Sequence, residues 1–316
     1  MIPKTTPDIL KELERRFGEQ VRFNVPLAPY TTYRVGGPAM AYSEPESRAD
    51  LQALVRFAHE HNLSVFILGG GANILVSDRG VEALVIRLNR CCNELERKGN
   101  EVRVGSGVTV KKLVEFCEAE NLAGLDFMSG IPGTVGGALR MNAGAFVGEI
   151  GDRVIEVEAM DYAGNTFTIP GPKAGFGYRR ADNLQDKILL GCRLGLEPGD
   201  REALSAARQS YLAKREARQP LDYGSCGSVF KRPPGNYAGT LIEKAGCKGM
   251  QIGGAIVSPK HANFILNYQD AKAEDIYRLI CAVQQKVYQQ FGIWLEPEVK
   301  LVGFTSEEIK SLEQPK

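Results

Sequence analysis

The chain has 316 residues, with a hydrophobic content of 43% and a charged content of 24%, the proportions of a soluble globular protein of two or three domains. A formal net charge of +1 gives no general attraction to nucleic acid or to a membrane surface. No apolar run approaches the ~18 residues of a membrane span, and the amino terminus carries Lys4 but no apolar core of a secretory signal. The seven cysteines show no C-x-x-C spacing, and His59, His61 and His261 show no zinc spacing with them, so reduced thiols and no metal are expected.

Ile9, Leu13 and Phe17 recur every fourth residue before Gly18, which predicts a short amphipathic helix with a glycine stop. Residues 21–25 read as a strand closed by Pro26, and residues 31–39 (TTYRVGGPA) as a polar turn with one arginine. Residues 50–61 are helical by pattern, with Leu51, Leu54, Val55 and Ala58 on one face and His59 and His61 as surface residues at its end. Residues 63–68 (LSVFIL) read as a buried strand that runs into Gly69, Gly70, Gly71, Ala72 and Asn73. A strand feeding a glycine loop is a common way to present backbone amides to phosphate. The loop is not the dinucleotide fingerprint, because Ile74 stands where glycine or alanine is needed, and no G-x-x-x-x-G-K-[ST] occurs. Val81–Ile86 reads as the next strand.

Residues 102–104 enter a second loop, Gly105-Ser106-Gly107, and Thr109 is placed to cap a helix whose Val110, Leu113, Val114 and Cys117 share one side. The stretch 130–144, GIPGTVGGALRMNAG, has glycine at 130, 133, 136, 137 and 144, while Ile131, Val135, Leu139 and Met141 are too apolar for an exposed linker. Pro132 makes its first turn rigid. A buried, rigid run whose bare amides allow close approach suits a phosphate-bearing cofactor, and a tight turn packed on a neighbour stays open as the plainer reading. Val154–Met160 and residues 166–169 form a hairpin, and residues 188–190 a further strand. Arg201–Arg218 is a charged helix with Leu204, Ala207, Tyr211 and Leu212 inward, where a shift in composition suggests a domain boundary. Beyond it come a helix near 241–245 and strands at 252–257 and 264–267. The clearest helix of the chain follows, on Ile276, Ile280, Val283, Val287 and Phe291 before Gly292, and then an alternating strand at 295–302.

Three side chains are candidates for chemistry, each with a plainer alternative. Arg179 lies in an aromatic, glycine-containing loop, or is a solvated arginine beside Arg180. Ser228, between Gly227 and Val229, exposes a hydroxyl or bonds its own backbone as a turn serine. Glu298 shares a strand face with Glu296 and Lys300, which is also what an ordinary polar face looks like. Cys226 has no histidine or acidic neighbour in sequence and reads as incidental. A Ser-His-acid hydrolase has little support, since G-x-S-x-G is missing.

Five segments occur in order: LGGGANILVSDRG (68–80), FMSGIPGTVGGALRMNAGAFVGEIGD (127–152), FGYR (176–179), GSVFKRP (227–233) and LEPEV (295–299). Together they resemble the UDP-N-acetylenolpyruvoylglucosamine reductases, also called UDP-N-acetylmuramate dehydrogenases, over roughly residues 20–303. The chain departs from the family pattern at Ala72, where the loop usually has serine, and at Ala181 and Asn183, where Y-R-x-S-x-F has serine and phenylalanine. The short stretch after Arg179 is similar to the subtype that lacks a longer tyrosine-bearing lid loop.

The resemblance implies an α+β fold. A two-part FAD-binding region of the UDP-N-acetylmuramate dehydrogenase/vanillyl-alcohol-oxidase-like type would occupy 1–84 and 85–200, and a C-terminal α+β substrate-binding domain 201–296, with the final strand and tail, 297–316, returning to the FAD-binding region. It implies non-covalent FAD held by Gly69, Gly70, Gly71, Ala72, Asn73, Gly130, Ile131, Pro132, Gly133, Thr134, Gly136 and Gly137, with NADPH as hydride donor. The reaction implied is reduction of the enolpyruvyl group of UDP-N-acetylglucosamine enolpyruvate to the lactyl ether of UDP-N-acetylmuramate, in peptidoglycan synthesis. Hydride reaches the methylene carbon from the flavin N5, Arg179 holds the developing enolate, Glu298 helps when protonated, and Ser228 delivers a proton to the carbanion carbon. A cytoplasmic monomer acting on a UDP-sugar, without nucleic-acid or membrane partners, is expected. Two alternatives stay open: another flavin-dependent oxidase or dehydrogenase of this fold acting on a sugar or hydroxy acid, and a non-catalytic nucleotide-sugar binding protein. GSVFKRP and LEPEV argue against the first, and Ala72 and Ala181 leave room for the second.

Overall fold

The computed structural model describes residues 6–313, so Lys4 of the amino-terminal reading lies outside the described residues. Among them no helix is long and apolar enough to cross a membrane. The chain divides into two compact units. The first holds the described residues up to Phe23, Ala41–Gly70 and Ala83–Arg215; the second holds Asn24–Met40, Gly71–Glu82 and the described residues from Glu216 on.

In the first unit, helix Arg48–Glu60 starts at a capping box, in which the Ser47 hydroxyl accepts the Asp50 N–H and the Asp50 carboxylate accepts the Ser47 N–H. Its Leu51, Leu54, Val55, Phe57 and Ala58 are buried in one cluster with Leu84 and Ile86. Strands Val65–Ile67 and Val81–Ile86 run parallel, with Val65 opposite Leu84. Thr109 caps helix Val110–Ala119 by accepting the Lys112 N–H. That helix packs into a second cluster on a five-stranded antiparallel sheet, ordered Thr166–Pro170, Val154–Met160, Ile188–Gly195, Glu101–Gly105, Leu95–Lys98. The strand expected at 188–190 continues to Gly195. The edge strand Leu95–Lys98 was not expected, because LERK is mostly solvent-exposed and carries the charges that blunt a sheet edge.

In the second unit, a three-stranded antiparallel sheet (Gln251–Ile252, Ala255–Val257, Ile265–Asn267) packs on helix Ala273–Phe291. This helix buries Ile276, Leu279, Ile280, Val283 and Val287 and stops at Gly292, whose φ of 66° is the left-handed cap that glycine takes without strain. Buried Gln284 donates through Nε2 to the carbonyls of Leu295 and Leu312, fixing the carboxy-terminal segments to the helix. Strand Lys300–Val302 lies parallel to Ile74–Val76.

Several expectations are corrected. Residues 252–257 form a hairpin rather than one strand, because the chain turns at Gly253, with φ of 53°. The strand expected over 295–302 is limited to Lys300–Val302: Pro297 has no N–H for a ladder and makes only an isolated bridge to Phe230. Residues 31–39 are not an exposed polar turn. Tyr33 and Val35 are buried, the Thr31 hydroxyl donates to the Val35 carbonyl at 2.8 Å, and a strand, Pro38–Ser43, begins inside the segment. His61 is half-buried, its ring 4.3 Å from that of Phe57. Helix Arg201–Arg218 has no fully buried residue, and Leu212 is exposed.

On Val154–Met160, Glu158 bonds Arg48 at 2.7 Å and Arg103 at 2.8 Å. Burial alone would raise the Glu158 pKa, but the bonds and charges of the two arginines outweigh it and hold the carboxyl below its ordinary value. A depressed carboxylate stabilises the fold above its unfolded pKa of ~4.3, and that contribution fades as pH falls through the folded value. Glu158→Gln should therefore lower stability at pH 7 by about 1 kcal/mol, discounted for partial exposure, with the deficit shrinking toward pH ~3. Urea denaturation at the two pH values checks it; a deficit independent of pH would contradict this role.

Candidate active site

In the first unit, Gly69 and Gly70 leave strand Val65–Ile67 and lie directly on the glycine run. A Cβ on Gly70 would sit 2.5 Å from the Gly133 Cα, and one on Gly69 would sit 2.8 Å from the Thr134 Oγ1. Neither position accepts a side chain without displacing its neighbour. The run is pinned from the other side. Val110 donates to the Gly133 carbonyl at 3.0 Å, Val135 to Val108 at 2.9 Å, and Gly136 to Ser106 at 3.0 Å. Gly130 and Gly133 have φ of 76° and 112°, and the Ile131 N–H closes the turn just before Pro132 by bonding the Met128 carbonyl. Gly136 faces Ser106, and Gly137 follows it in the short helix Val135–Arg140. The Ser106 hydroxyl is buried and has no partner among the described residues. Sequence reasoning noticed its loop but assigned it nothing; the signal was a serine between two glycines at a strand end.

The boundary between the units falls inside the first glycine loop, after Gly70. In the second unit, Gly71 has φ of 63°, and a Cβ there would meet the Tyr30 carbonyl oxygen at 2.1 Å. Asn73 donates through Nδ2 to the Glu298 carbonyl at 3.1 Å and accepts the Lys300 N–H at 3.0 Å, so Ala72 and Asn73 are held along the LEPEV segment. Ser228 reaches the same place. Glu298 N–H bonds the Val229 carbonyl at 2.7 Å and Lys231 N–H bonds the Glu296 carbonyl at 2.9 Å, setting GSVFK beside LEPEV with Ser228 and Glu298 half-buried. Buried Asn263 braces this pairing, accepting the Phe230 N–H and donating to the Phe230 carbonyl. The Cys226 thiol donates to the Tyr33 hydroxyl at 3.3 Å, and burial pushes it up to about 12, so it stays protonated and is no nucleophile.

Arg179 belongs to the first unit. It is the second turn residue of a hairpin, Phe176–Gly177 with Arg180–Ala181, and has φ of 57°, a left-handed conformation uncommon for arginine. Its Nη2 donates to the Gly144 carbonyl at 3.1 Å, and its guanidinium stands 5.3 Å from the Tyr178 ring centre. Asn142 fixes this hairpin. It is buried, donates to Gly177 at 3.1 Å and to Glu149 at 2.6 Å, and accepts the Gly151 N–H at 2.9 Å. Arg215 adds a second cation. Burial lowers its pKa and the Arg179 charge lowers it further, and its Cδ would be 2.7 Å from a Cβ on Gly130. Sequence reading left Arg215 among the charges of its helix and Asn142 unassigned inside MNAG. Of the departures from the family pattern, Ala181 is fully buried and Asn183 bonds the Lys173 carbonyl at 2.8 Å, so both serve packing and turn structure.

These residues fit a phosphate-bearing flavin. Among the described residues the amides of 69–73 donate to no backbone carbonyl, the glycines keep two backbones close, and a buried hydroxyl awaits a partner. The two loops contain no histidine or cysteine to make a covalent flavin link.

Residues 219–302 match the family described as UDP-N-acetylenolpyruvoylglucosamine reductase, C-terminal domain, and residues 39–169 match the FAD binding domain. The chain is 41% identical over 291 residues to a UDP-N-acetylenolpyruvoylglucosamine reductase of Synechococcus sp., covering 91% of this chain and 93% of that one. It is 43% identical over 286 residues to a second such protein of Symbiobacterium thermophilum, covering 90% and 92%. The crystal structure of the UDP-N-acetylenolpyruvylglucosamine reductase from Thermus caldophilus superposes with a TM-score of 0.78 at 34% identity, covering 89% of this chain and 98% of that one.

Asn142→Asp keeps the acceptor for Gly151 but turns a carboxylate toward Glu149 and the Gly177 carbonyl. Losing a buried donor should lower stability by about 2 kcal/mol and, by freeing the Arg179 hairpin, slow turnover. Urea denaturation and steady-state kcat check this; wild-type values of both would remove Asn142 from the site's support.

Proposed function

The chain belongs to the UDP-N-acetylenolpyruvoylglucosamine reductases, and from that premise we propose how its own residues carry out the family's reaction. The activity is that of an FAD-containing oxidoreductase of peptidoglycan synthesis, reducing the enolpyruvyl group of UDP-N-acetylglucosamine enolpyruvate to give UDP-N-acetylmuramate. When bound, FAD would supply hydride chemistry, passing two electrons from NADPH to the enolpyruvyl methylene carbon.

Amides of the glycine loops at 69–73 and 130–137 hold the phosphates of FAD without a covalent bond. Hydride addition leaves negative charge on the adjacent carbon of the substrate, spread into its carboxylate. Arg179 is a permanent cation with planar donors and stabilises that charge. Glu298 helps only in its protonated form, since a bare carboxylate would oppose the charge. Ser228 gives its hydroxyl proton to the carbanion carbon; a hydroxyl is a weak acid, and an enolate is basic enough to take its proton. The observation that carries this assignment is the pairing of the Ser228 segment with the Glu298 segment, Glu298 N–H to Val229 carbonyl at 2.7 Å. No dinucleotide fingerprint marks a separate NADPH site, so NADPH and the UDP-sugar use one pocket in turn. In this reading 1–84 and 85–200, with 297–316, serve FAD; 201–296 serves substrate; and the enzyme works as a cytoplasmic monomer.

Ser228→Ala should leave flavin reduction by NADPH unchanged and slow flavin reoxidation by the enolpyruvyl substrate at least ~10²-fold, with Ser228→Cys recovering part of the loss. Stopped-flow traces of the two half-reactions decide between this and a structural serine, which would slow both together or neither.

One pocket used in turn predicts parallel initial-rate lines, with each substrate competing against the other at high concentration. A stable complex holding NADPH and the UDP-sugar together would contradict it.

A further inference from the structure

We propose that Cys91 and Cys92 form a peroxide-sensitive vicinal dithiol, and that its closure to a disulfide loosens the flavin loops of the first unit. The two sulfurs lie 3.8 Å apart in a turn where the Cys92 N–H bonds the Leu88 carbonyl at 2.9 Å. Cys91, at 8% exposure, is the member that meets solvent, and Cys92 is fully buried behind it. The hydrogen bond between the two thiols and the charge of Arg48 lower the Cys91 thiol from its ordinary value in spite of burial, while that same bond and burial raise Cys92. The more exposed Cys91 is thus the attacking thiol and the buried Cys92, 3.8 Å away, the resolving thiol.

The chemistry balances with hydrogen peroxide as oxidant. The Cys91 thiolate attacks one peroxide oxygen, the O–O bond breaks, and water leaves with a proton from solvent, giving a sulfenic acid. The Cys92 thiol then displaces a second water from that sulfur and forms the S–S bond. Two thiols lose two electrons and two protons, and one peroxide becomes two waters.

The turn is coupled to the glycine loops through backbone. The Cys92 carbonyl accepts the Gly107 N–H at 2.8 Å, and a Cβ on Gly105 would sit 2.3 Å from that same oxygen. Between them Ser106 carries the unpartnered buried hydroxyl and accepts the Gly136 N–H at 3.0 Å. Bringing the sulfurs to ~2.05 Å closes an eight-membered ring that contains the 91–92 peptide, so the adjustment falls on backbone and the Cys92–Gly107 bond yields first.

Arg90 and Arg97 flank the pair, so trypsin releases both cysteines in one peptide, 91–97. Holoenzyme is treated with hydrogen peroxide, quenched with catalase, denatured in iodoacetamide and mapped, and its FAD dissociation constant is followed by flavin fluorescence. The peptide should appear about 2 Da light and unalkylated, as an internal disulfide requires. The FAD dissociation constant should rise about fivefold, the effect of one net hydrogen bond, and dithiothreitol should reverse both changes. Cys92→Ala should stop at a sulfenic acid on Cys91 that dimedone traps. Alkylation of both cysteines after peroxide, or a mapped disulfide with unchanged FAD affinity, overturns the proposal. The coupling rests on the flavin reading above, but the mapping does not: a disulfide in a protein that never binds FAD would count against the flavin reading instead.

Discussion

The contact between Gly70 and Gly133 is the constraint on which the cofactor region depends. A side chain at Gly70 would begin 2.5 Å from the Gly133 Cα, so the loop leaving strand Val65–Ile67 and the loop entering helix Val135–Arg140 meet as bare backbone. The second loop is fixed apart from this contact. Gly133, Val135 and Gly136 are bonded to Val110, Val108 and Ser106, and the helix that begins at Val110 is itself set by the Thr109 cap. What emerges is a rigid surface of amides with a buried serine hydroxyl, which suits anionic phosphates better than any cluster of lysines of uncertain rotamer.

The side chains proposed to react are held by other means. Ser228 and Glu298 stand on segments joined by backbone pairing and braced by Asn263 and Asn73, whose side-chain amides bond main-chain groups rather than one another. Such bracing fixes the backbone on which Ser228 and Glu298 stand. Arg179 is placed by a strained turn instead: a left-handed arginine at a hairpin tip persists because Asn142 binds the hairpin from below and Gly144 accepts from the guanidinium.

How much of this was legible in the sequence depends on how local each feature is. Helices Arg48–Glu60, Val110–Ala119 and Ala273–Phe291 follow from 3.6-residue periodicity, with the Thr109 cap and the Gly292 stop read beside them, while the Ser47 cap was not read. Strand Val154–Met160 was equally plain, whereas Leu95–Lys98 was not, since an exposed edge strand has no apolar alternation to read. Pro297 shortened the last strand, and Tyr33 and Val35 went to the core because Thr31 and Thr32 satisfy their hydroxyls on nearby carbonyls. The glycines announced a tight backbone, and Ser228 and Glu298 were candidates on residue type, but their proposed roles came only through the family motifs. Ser106, Asn142 and Arg215 acquire meaning from partners far along the chain, which no local pattern records.

The central claim is that close glycine backbone, rather than charged side chains, retains the flavin. Measuring bound FAD by absorbance and mass spectrometry in Gly70→Ala, beside its far-UV circular dichroism, tests it most directly. The account predicts a folded, colourless protein, because one methyl group forces the loops apart at the 2.5 Å contact. A yellow Gly70→Ala protein that binds FAD as tightly as the wild type would contradict it.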